Sequence, residues 1–311
     1  GRRVLRTPLL KATSMCDKPM PRDLAGWVTF LSSAEMPILR QTARRLDHAR
    51  QQIDRVNGRD ITDIVLQDPL LAIRVLAYIQ EASHRRLQSD ITNIASAVMM
   101  LGIDPFFRKF DQPRTLETML SGQPQALLGV VQVILRTQRA SHYAHEWAFA
   151  RHDMNVEEVA LAALLNDIAE ILLWCFAPHL AIEIRSRLQA DRALRSASAQ
   201  QEVLGFPLAD LQLALCHAWH LPELLTTLMD DGKAHLQRVQ NVKLAVNLAR
   251  HSTGGWTDPA IPDDLTAVQN LLHISRETLL HRLQLPPEVL PGGLSEDAAG
   301  GQGGWPEQPR H

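Results

Sequence analysis

The sequence predicts an all-α protein, and three observations lead to that prediction. Apolar residues recur at intervals of three and four along much of the chain, which is typical of amphipathic helices. Helix-capping signals stand at the boundaries of several of these segments, and the first half shows no convincing alternation of apolar and polar residues. The chain has 311 residues, 45% hydrophobic and 21% charged, which is enough to bury one large core or two smaller ones.

Composition divides the chain into a helical domain and two flanking segments. Residues 1–22 mix basic residues with proline, which predicts a mobile leader. Residues 286–311 combine glycine, proline and charge without periodicity, which predicts a disordered tail. The domain between them, residues 23–285, is divided into a first lobe, a proline-containing linker and a second lobe, at about 23–104, 105–125 and 126–285.

Capping residues predict where the helices of the first lobe begin and end. Asp60 is expected to cap a short helix that follows the turn signal Asn57-Gly58. Asp68 and Pro69 predict the start of the next helix, because the aspartate accepts a bond from an orphan amide and proline has no amide hydrogen to lose. In the second lobe, Ser275 is the predicted N-cap of the last helix.

The helix predicted over residues 38–53 carries a basic outer face. Four arginines form this face: Arg40, Arg44, Arg45 and Arg50. Such a face binds phosphate or an acidic partner in some proteins and is simply solvated in many others. Both alternatives remain open from the sequence.

Composition also excludes several classes of function. The formal net charge of −2 and the low aromatic content of 5% do not favour a nucleic-acid-binding protein. Cys16, Cys175 and Cys216 are far apart and form no CxxC pair, which is typical of a reducing compartment. No secretory signal is evident, so we expect a cytoplasmic location.

The longest strongly apolar helical pattern runs over residues 157–176. Its length would span a membrane, but Asn166, Asp167 and Glu170 at its centre make insertion unfavourable, so we predict a buried core helix and no membrane contact. A carboxylate inside such a helix is costly unless it has a partner or a metal. The pair Asn166-Asp167 is therefore the first place to look for function.

Two histidine pairs provide further metal ligands in principle. His142 and His145 are three residues apart on one helix face, and so are His217 and His220. A metal site needs additional ligands at suitable geometry. We therefore predict no metal and no other cofactor.

Several segments, taken in order, resemble the HD-related output domain (HDOD) family of bacterial signal-transduction proteins. The pattern in the first lobe consists of Met36-Pro37, Asp68-Pro69, Ile91, Ile94, Ala97, Val98, Leu101 and Gly102. The matching residues of the second lobe are Glu202, Gly205, Trp219, Leu221 and Pro222. The chain departs from the family at Gln80-Glu81, where an asparagine is common. The resemblance covers most of the chain and implies two packed helical lobes, the second similar to an HD domain.

The resemblance also implies that the metal motif of HD phosphohydrolases is degenerate in this chain. It places Asn166 and Asp167 where those enzymes carry an adjacent His and Asp as metal ligands, and it places the upstream His position near Thr137. Further ligand positions are occupied by Ala209-Asp210 and by residues 229–231. An asparagine carboxamide is a poor metal ligand, so loss of the histidine weakens or abolishes metal binding.

We therefore expect a regulatory or signal-transduction module that acts in trans through protein–protein contact with an unidentified signalling protein, and not an enzyme. The basic face of residues 38–53 and the groove between the lobes are the candidate contact regions. One alternative is a degenerate metal-dependent HD-type phosphohydrolase that combines Asp167 with His142, His145 or His217. The other is a nucleotide-binding sensor that uses the vestigial pocket around Asp167.

Overall fold

Helices make up the regular structure of this protein. A computed structural model describes residues 20–84, 91–111, 113–191 and 193–285. No strand occurs in these residues, and a parallel bridge joins Ile38 to Thr115. The predicted all-α class is confirmed. Nearly all of the predicted leader, the whole predicted tail and Cys16 lie outside the described residues.

The helices follow one another with short connections. The first half forms α1 to α7 at Leu24–Ser32, Arg40–Gln51, Gly58–Val65, Pro69–His84, Ile94–Leu101, Ile103–Lys109 and Leu116–Met119. The second half forms α8 to α17 at Pro124–Ala150, Val156–Leu165, Ile168–Phe176, Pro178–Ala190, Ser196–Leu204, Leu208–Ala218, Glu223–Leu228, Gln237–His251, Ile261–Leu272 and Arg276–Arg282.

Capping explains where helices begin, with one correction to the prediction. Asp68 caps α4 as expected, and its Oδ1 accepts bonds from the amides of Leu70 (3.0 Å) and Leu71 (3.3 Å). The cap predicted at Asp60 is wrong. Helix α3 begins at Gly58 because Asn57 is its N-cap, and Asp60 returns a bond to the amide of Asn57 in a capping box.

Helix α8 is the central helix of the second half, where it packs against α9, α10 and α15. Its 27 residues place a small-residue position, Gly129, against the ring of Trp174 in α10. A Cβ atom at Gly129 would lie 2.6 Å from Cζ3 of Trp174. The glycine therefore permits α8 and α10 to approach closely at the point where the candidate site is built.

The two lobes share one continuous hydrophobic core, and α1 crosses the predicted division between them. Helix α1 packs against α13 of the second lobe. The indole Nε1 of Trp219 donates to the carbonyl of Ser32 at 3.4 Å, and the rings of Phe30 and Phe176 meet edge to face. The sequence places α1 in the first lobe, but the helix that α1 contacts, α13, lies in the second lobe.

The segment predicted as a linker is also part of the core. Helices α6 and α7 lie mostly within residues 105–125, and Phe106 and Leu116 are fully buried. Pro113 separates α6 from α7 and Pro124 begins α8, whereas Pro105 lies in the first turn of α6, where proline is tolerated.

The apolar stretch Val156–Phe176 has the length and composition of a membrane span, but 83% of it is buried inside the protein. This burial is what the sequence predicts for a core element. Cys175 and Cys216 are buried nearby, as expected of small apolar side chains. Burial raises the pKa of the Cys216 thiol to about 12.

Candidate functional site

The apolar stretch is not one helix but two, and the break between them forms the candidate site. Helix α9 ends at Leu165 and α10 begins at Ile168. The prediction of a single helix over residues 157–176 is therefore wrong at its centre. The residues in the break are Asn166 and Asp167, the pair that the resemblance places at the metal-binding position.

A glutamine from another helix satisfies the backbone groups that this break releases. The side chain of Gln212 in α13 is buried; its Nε2 donates to the carbonyl of Leu165 at 2.8 Å, and its Oε1 accepts from the amide of Ala169 at 3.0 Å. Unpaired backbone groups in a core cost free energy. Gln212 therefore stabilises the interrupted conformation in which Asp167 lies.

Asp167 makes a buried ion pair with Arg136 of α8. The Asp167 side chain is 9% exposed, and its Oδ2 accepts from Nε (3.0 Å) and Nη2 (2.6 Å) of Arg136. The same Nη2 donates to Oε2 of Glu170 at 2.7 Å, and Asn166 Nδ2 donates to Asp167 Oδ1 at 3.1 Å. A second arginine, Arg250 of α15, lies 3.8 Å from Oδ1. The carboxylate is thus bonded to guanidinium and amide groups.

The electrostatics of this pair favour charge on both partners. Burial alone would raise the pKa of Asp167, but the positive charges of Arg136 and Arg250 and the hydrogen bonds hold it below its usual range. Burial opposes the charge of Arg136 as well, yet the carboxylates of Asp167 and Glu170 raise its pKa. A metal ion at Asp167 would therefore have to displace a charged guanidinium that is already hydrogen-bonded.

The histidines considered as alternative ligands do not converge on Asp167. His142 and His145 are exposed on α8 and line a different concave region, and His217 is exposed on α13. Thr137, at the predicted upstream ligand position, is buried and donates to the carbonyl of Ile134. Among the described residues, no three His, Cys, Asp or Glu side chains are grouped so that they would hold a metal ion.

A cavity of about 330 Å³ adjoins the ion pair, and we call it the arginine cavity. Three arginines from three helices line it, Arg136, Arg185 and Arg250, together with Glu170 and Trp174. The guanidinium of Arg185 lies 4.4 Å from the centre of the Trp174 ring, and its Nη2 donates to Gln132 Oε1 at 3.1 Å. The site that resembles a cation-binding motif therefore adjoins a cavity in which three of the four charged side chains of the lining are cationic.

A larger concave region of about 980 Å³ lies between the lobes, and we call it the interlobe groove. Helices α3 and α5 form one wall and α8 and α9 form the other. Its apolar lining includes Leu66, Ile94, Val98, Met99 and Leu161, and its polar lining includes Arg59, Asp63, His142, His145 and Glu157. The Met99 side chain is 80% exposed.

Hydrogen bonds between the lobes hold the walls of the groove in place. The buried carboxylate of Glu158 in α9 accepts from Thr92 (2.8 Å) and Asn93 (3.1 Å) beside α5. Gln138 of α8 donates to the carbonyl of Gln67 at 2.6 Å. The groove is therefore a preformed feature of the fold rather than a gap between independent units.

The basic face on α2 is less uniform than its sequence implies. Arg50 pairs with Asp47 and Asp111, so its charge is compensated within the protein. Arg40 and Arg44 are exposed and Arg45 is partly exposed. The structure places these residues away from both the arginine cavity and the interlobe groove, whose linings do not include them.

Comparison with known proteins identifies the family. The family model of the HDOD domain matches residues 36–234, which is more than half of the chain. This chain belongs to the HDOD family. The match covers most of the first lobe and the second lobe as far as residue 234, including Arg136, Asp167 and Gln212.

Solved structures share the fold of this HDOD protein. A virulence factor from Campylobacter jejuni has a TM-score of 0.58 at 15% identity, over 87% of this chain and 96% of the other. The MmoQ response regulator from Methylococcus capsulatus has a TM-score of 0.56 at 15% identity, over 78% of this chain and 99% of the other. At such identities the similarity shows the fold alone. The search of the curated proteins found no match.

Sequence reasoning missed the two residues that define the site in this HDOD protein, Arg136 and Gln212. A signal for Arg136 was present, because it lies on the apolar stripe of α8, three residues after Val133 and four before Ala140. A lone arginine on a buried stripe needs an acidic partner. Gln212 gave a weaker signal, a glutamine among the leucines of α13.

Proposed function

We propose that this HDOD protein is a non-catalytic regulatory module of signal transduction that acts through protein–protein contact. The observation that carries the proposal is the guanidinium of Arg136 on the Asp167 carboxylate. A metal hydrolase uses its ion to produce hydroxide from water near neutral pH. In this chain the group that would ligate such an ion is instead neutralised by an arginine, and its neighbour in the sequence is Asn166.

The interlobe groove is the proposed contact region. Its apolar lining and its exposed Met99 suit the apolar face of an amphipathic helix, and its mixed charges at Arg59, Asp63 and Glu157 suit a polar rim. Methionine adapts its shape to a docked surface because its side chain is unbranched and polarizable. We propose a helix of a signalling protein as the occupant.

The non-catalytic part of the proposal is tested by metal content. Untagged protein purified without chelators is analysed by elemental mass spectrometry, with Asp167→Ala as the paired variant. We expect no stoichiometric transition metal in either protein. A stoichiometric metal that disappears in Asp167→Ala would overturn the proposal and favour the alternative of a metal-dependent phosphohydrolase, to be followed by phosphatase assays.

The contact part is tested by site-specific photo-crosslinking in cell extract. A benzophenone amino acid replaces Met99 in the groove, and a matched protein carries it at Met154, which is 92% exposed and outside the groove lining. We expect a discrete cross-linked protein at Met99 and none at Met154. Equal labelling at both positions would show contact without specificity and would contradict the groove assignment.

A further inference from the structure

We propose that the arginine cavity is a binding site for a phosphate group, carried by a small organic phosphate ester or present as free phosphate. This inference goes beyond protein–protein contact and does not depend on it. It rests on three features of the cavity: an excess of guanidinium groups over carboxylates, donors that internal partners leave available, and walls that combine polar and apolar side chains.

The charge balance of the cavity is positive. Arg136, Arg185 and Arg250 face two carboxylates, those of Asp167 and Glu170. Arg136 is bonded to both carboxylates, which accounts for most of the negative charge. One positive charge therefore remains without a compensating carboxylate among the groups that line the cavity or touch its ion pair. A bound anion would supply the missing negative charge.

Arg185 and Arg250 hold the uncompensated charge. Arg185 donates to the neutral Gln132, and its guanidinium lies over the Trp174 ring, which orients the group without neutralising it. Among the described residues, the ion-pair partner of Arg250 is Asp167 Oδ1 at 3.8 Å, which is longer than a hydrogen bond. Burial and the neighbouring charge of Arg136 both lower the pKa of Arg185, whereas Glu170 opposes that change. Binding of an anion would relieve this repulsion.

The cavity also has the size and lining for an organic phosphate. Its volume of about 330 Å³ accommodates a ligand larger than phosphate itself. Ser196, Gln189 and Thr253 add polar groups, and Ile184, Leu188 and Leu208 add apolar wall. Paired arginines recognise phosphate oxygens through their fork of N–H donors. The apolar wall would contact the body of an ester, which free phosphate lacks.

Glu170 also lines the arginine cavity, and replacing it should change phosphate affinity in the opposite direction from replacing an arginine. Its carboxylate is bonded to Arg136 through Oε2 and is 30% exposed. A carboxylate beside a bound phosphate repels it, so Glu170→Gln should strengthen binding. Misfolding would weaken binding, so it could not explain a gain of affinity in Glu170→Gln.

The experiment is calorimetric titration of the full chain with inorganic phosphate, with adenosine monophosphate and with adenosine as the uncharged probe. The variants are Arg185→Gln, Arg250→Gln and Glu170→Gln. The control is Arg187→Gln: Arg187 is an exposed arginine of α11, the helix of Arg185, and it pairs with Glu183 and Glu202. Circular dichroism establishes that each variant is folded.

We expect Arg185→Gln and Arg250→Gln each to weaken binding of the charged probes at least about tenfold, Glu170→Gln to strengthen it, and Arg187→Gln to leave it within twofold. Tighter binding of adenosine monophosphate than of phosphate would assign an ester as the ligand, and equal binding would assign free phosphate. Absence of binding by both, or binding that Arg185→Gln and Arg250→Gln leave unchanged, would overturn the inference. Release of phosphate from adenosine monophosphate would instead contradict the non-catalytic proposal and leave the binding site standing.

Discussion

The Asp167 site lies in the second lobe and the interlobe groove lies between the two lobes, and the two regions differ in how far the protein covers its own side chains. At Asp167, other helices supply partners for the carboxylate and for the interrupted backbone: Arg136 from α8 and Gln212 from α13. In the groove, the side chains of Met99 and Leu66 are 80% and 39% exposed, whereas the apolar residues beneath them are buried. The first region contributes to the stability of the protein, and the second is the proposed contact surface. Substitutions should therefore separate stability from binding.

The largest expected effect is from Arg136→Leu. This change leaves Asp167 and Glu170 without their guanidinium in a buried site, so we expect a loss of about 3–5 kcal/mol in the free energy of unfolding. Urea unfolding followed by circular dichroism measures it. The matched control is Arg187→Leu, which also removes an arginine with two carboxylate partners but at an exposed position, where little should change. Equal losses in both variants would contradict the interpretation of Arg136.

Gln212→Leu should have the next largest effect, a loss of about 2–3 kcal/mol, because two buried backbone groups at the break lose their partners. Hydrogen exchange provides a local measurement, since the amide of Ala169 should lose protection. The control Gln201→Leu removes a side-chain bond to the carbonyl of Gly205 at the surface. Retained protection of Ala169 in Gln212→Leu would show that the break is stabilised by other contacts.

Gly129→Ala tests the close approach of α8 and α10 that places Arg136 beside Asp167. Alanine improves helix propensity by about 1 kcal/mol, but its Cβ would meet ring atoms of Trp174 at 2.6–2.8 Å. We expect the cost of overpacking to exceed the gain in helix propensity, so the free energy of unfolding should fall by about 1–3 kcal/mol. Thermal or urea unfolding measures it. Gly122→Ala is the control, because nothing lies within 4 Å of its Cβ position. A stabilised Gly129→Ala variant would show that Trp174 moves freely.

The pH dependence of stability is a further test of the buried pair. The folded-state pKa of Asp167 is depressed, so its contribution is present above its unfolded pKa of about 3.9 and is lost as the pH falls through the folded pKa. The free energy of unfolding should decline below about pH 4, by at most about 1.4 kcal/mol per pH unit from this group. Asp167→Asn should reduce that slope. Parallel curves for both proteins would assign acid sensitivity to other carboxylates.

The smallest effect on stability is expected in the groove. Met99→Glu introduces charge at a side chain that is 80% exposed, so the free energy of unfolding should stay within about 0.5 kcal/mol of the wild type. Capture of the protein that cross-links through position 99 should nevertheless be lost. Met154→Glu, at a 92% exposed position, should preserve capture. Large destabilisation by Met99→Glu would show that Met99 supports the fold.

Local patterns in the sequence determined the helical class, most of the caps and the burial of the apolar stretch. The capping bonds of Asp68 and Ser275 reach amides within three residues, so a short segment contains the information for the cap, although Asp68 Oδ2 also accepts from the distant amide of Leu39. The family pattern likewise placed Asn166-Asp167 at the centre of the candidate site. The cap of α3 was assigned wrongly because Asn57 and Asp60 both carry side chains that suit a capping position.

Only the tertiary structure decided what surrounds Asp167. Arg136 precedes Asp167 by 31 residues. Gln212 follows Ala169, whose amide donates to it, by 43 residues. Helix α1 packs on α13 rather than on its sequence neighbours. Periodicity and capping depend on interactions within one or two turns of a helix, whereas these pairings depend on how distant helices pack against one another. The sequence determined that Asp167 is buried, and the packing determined that an arginine neutralises it.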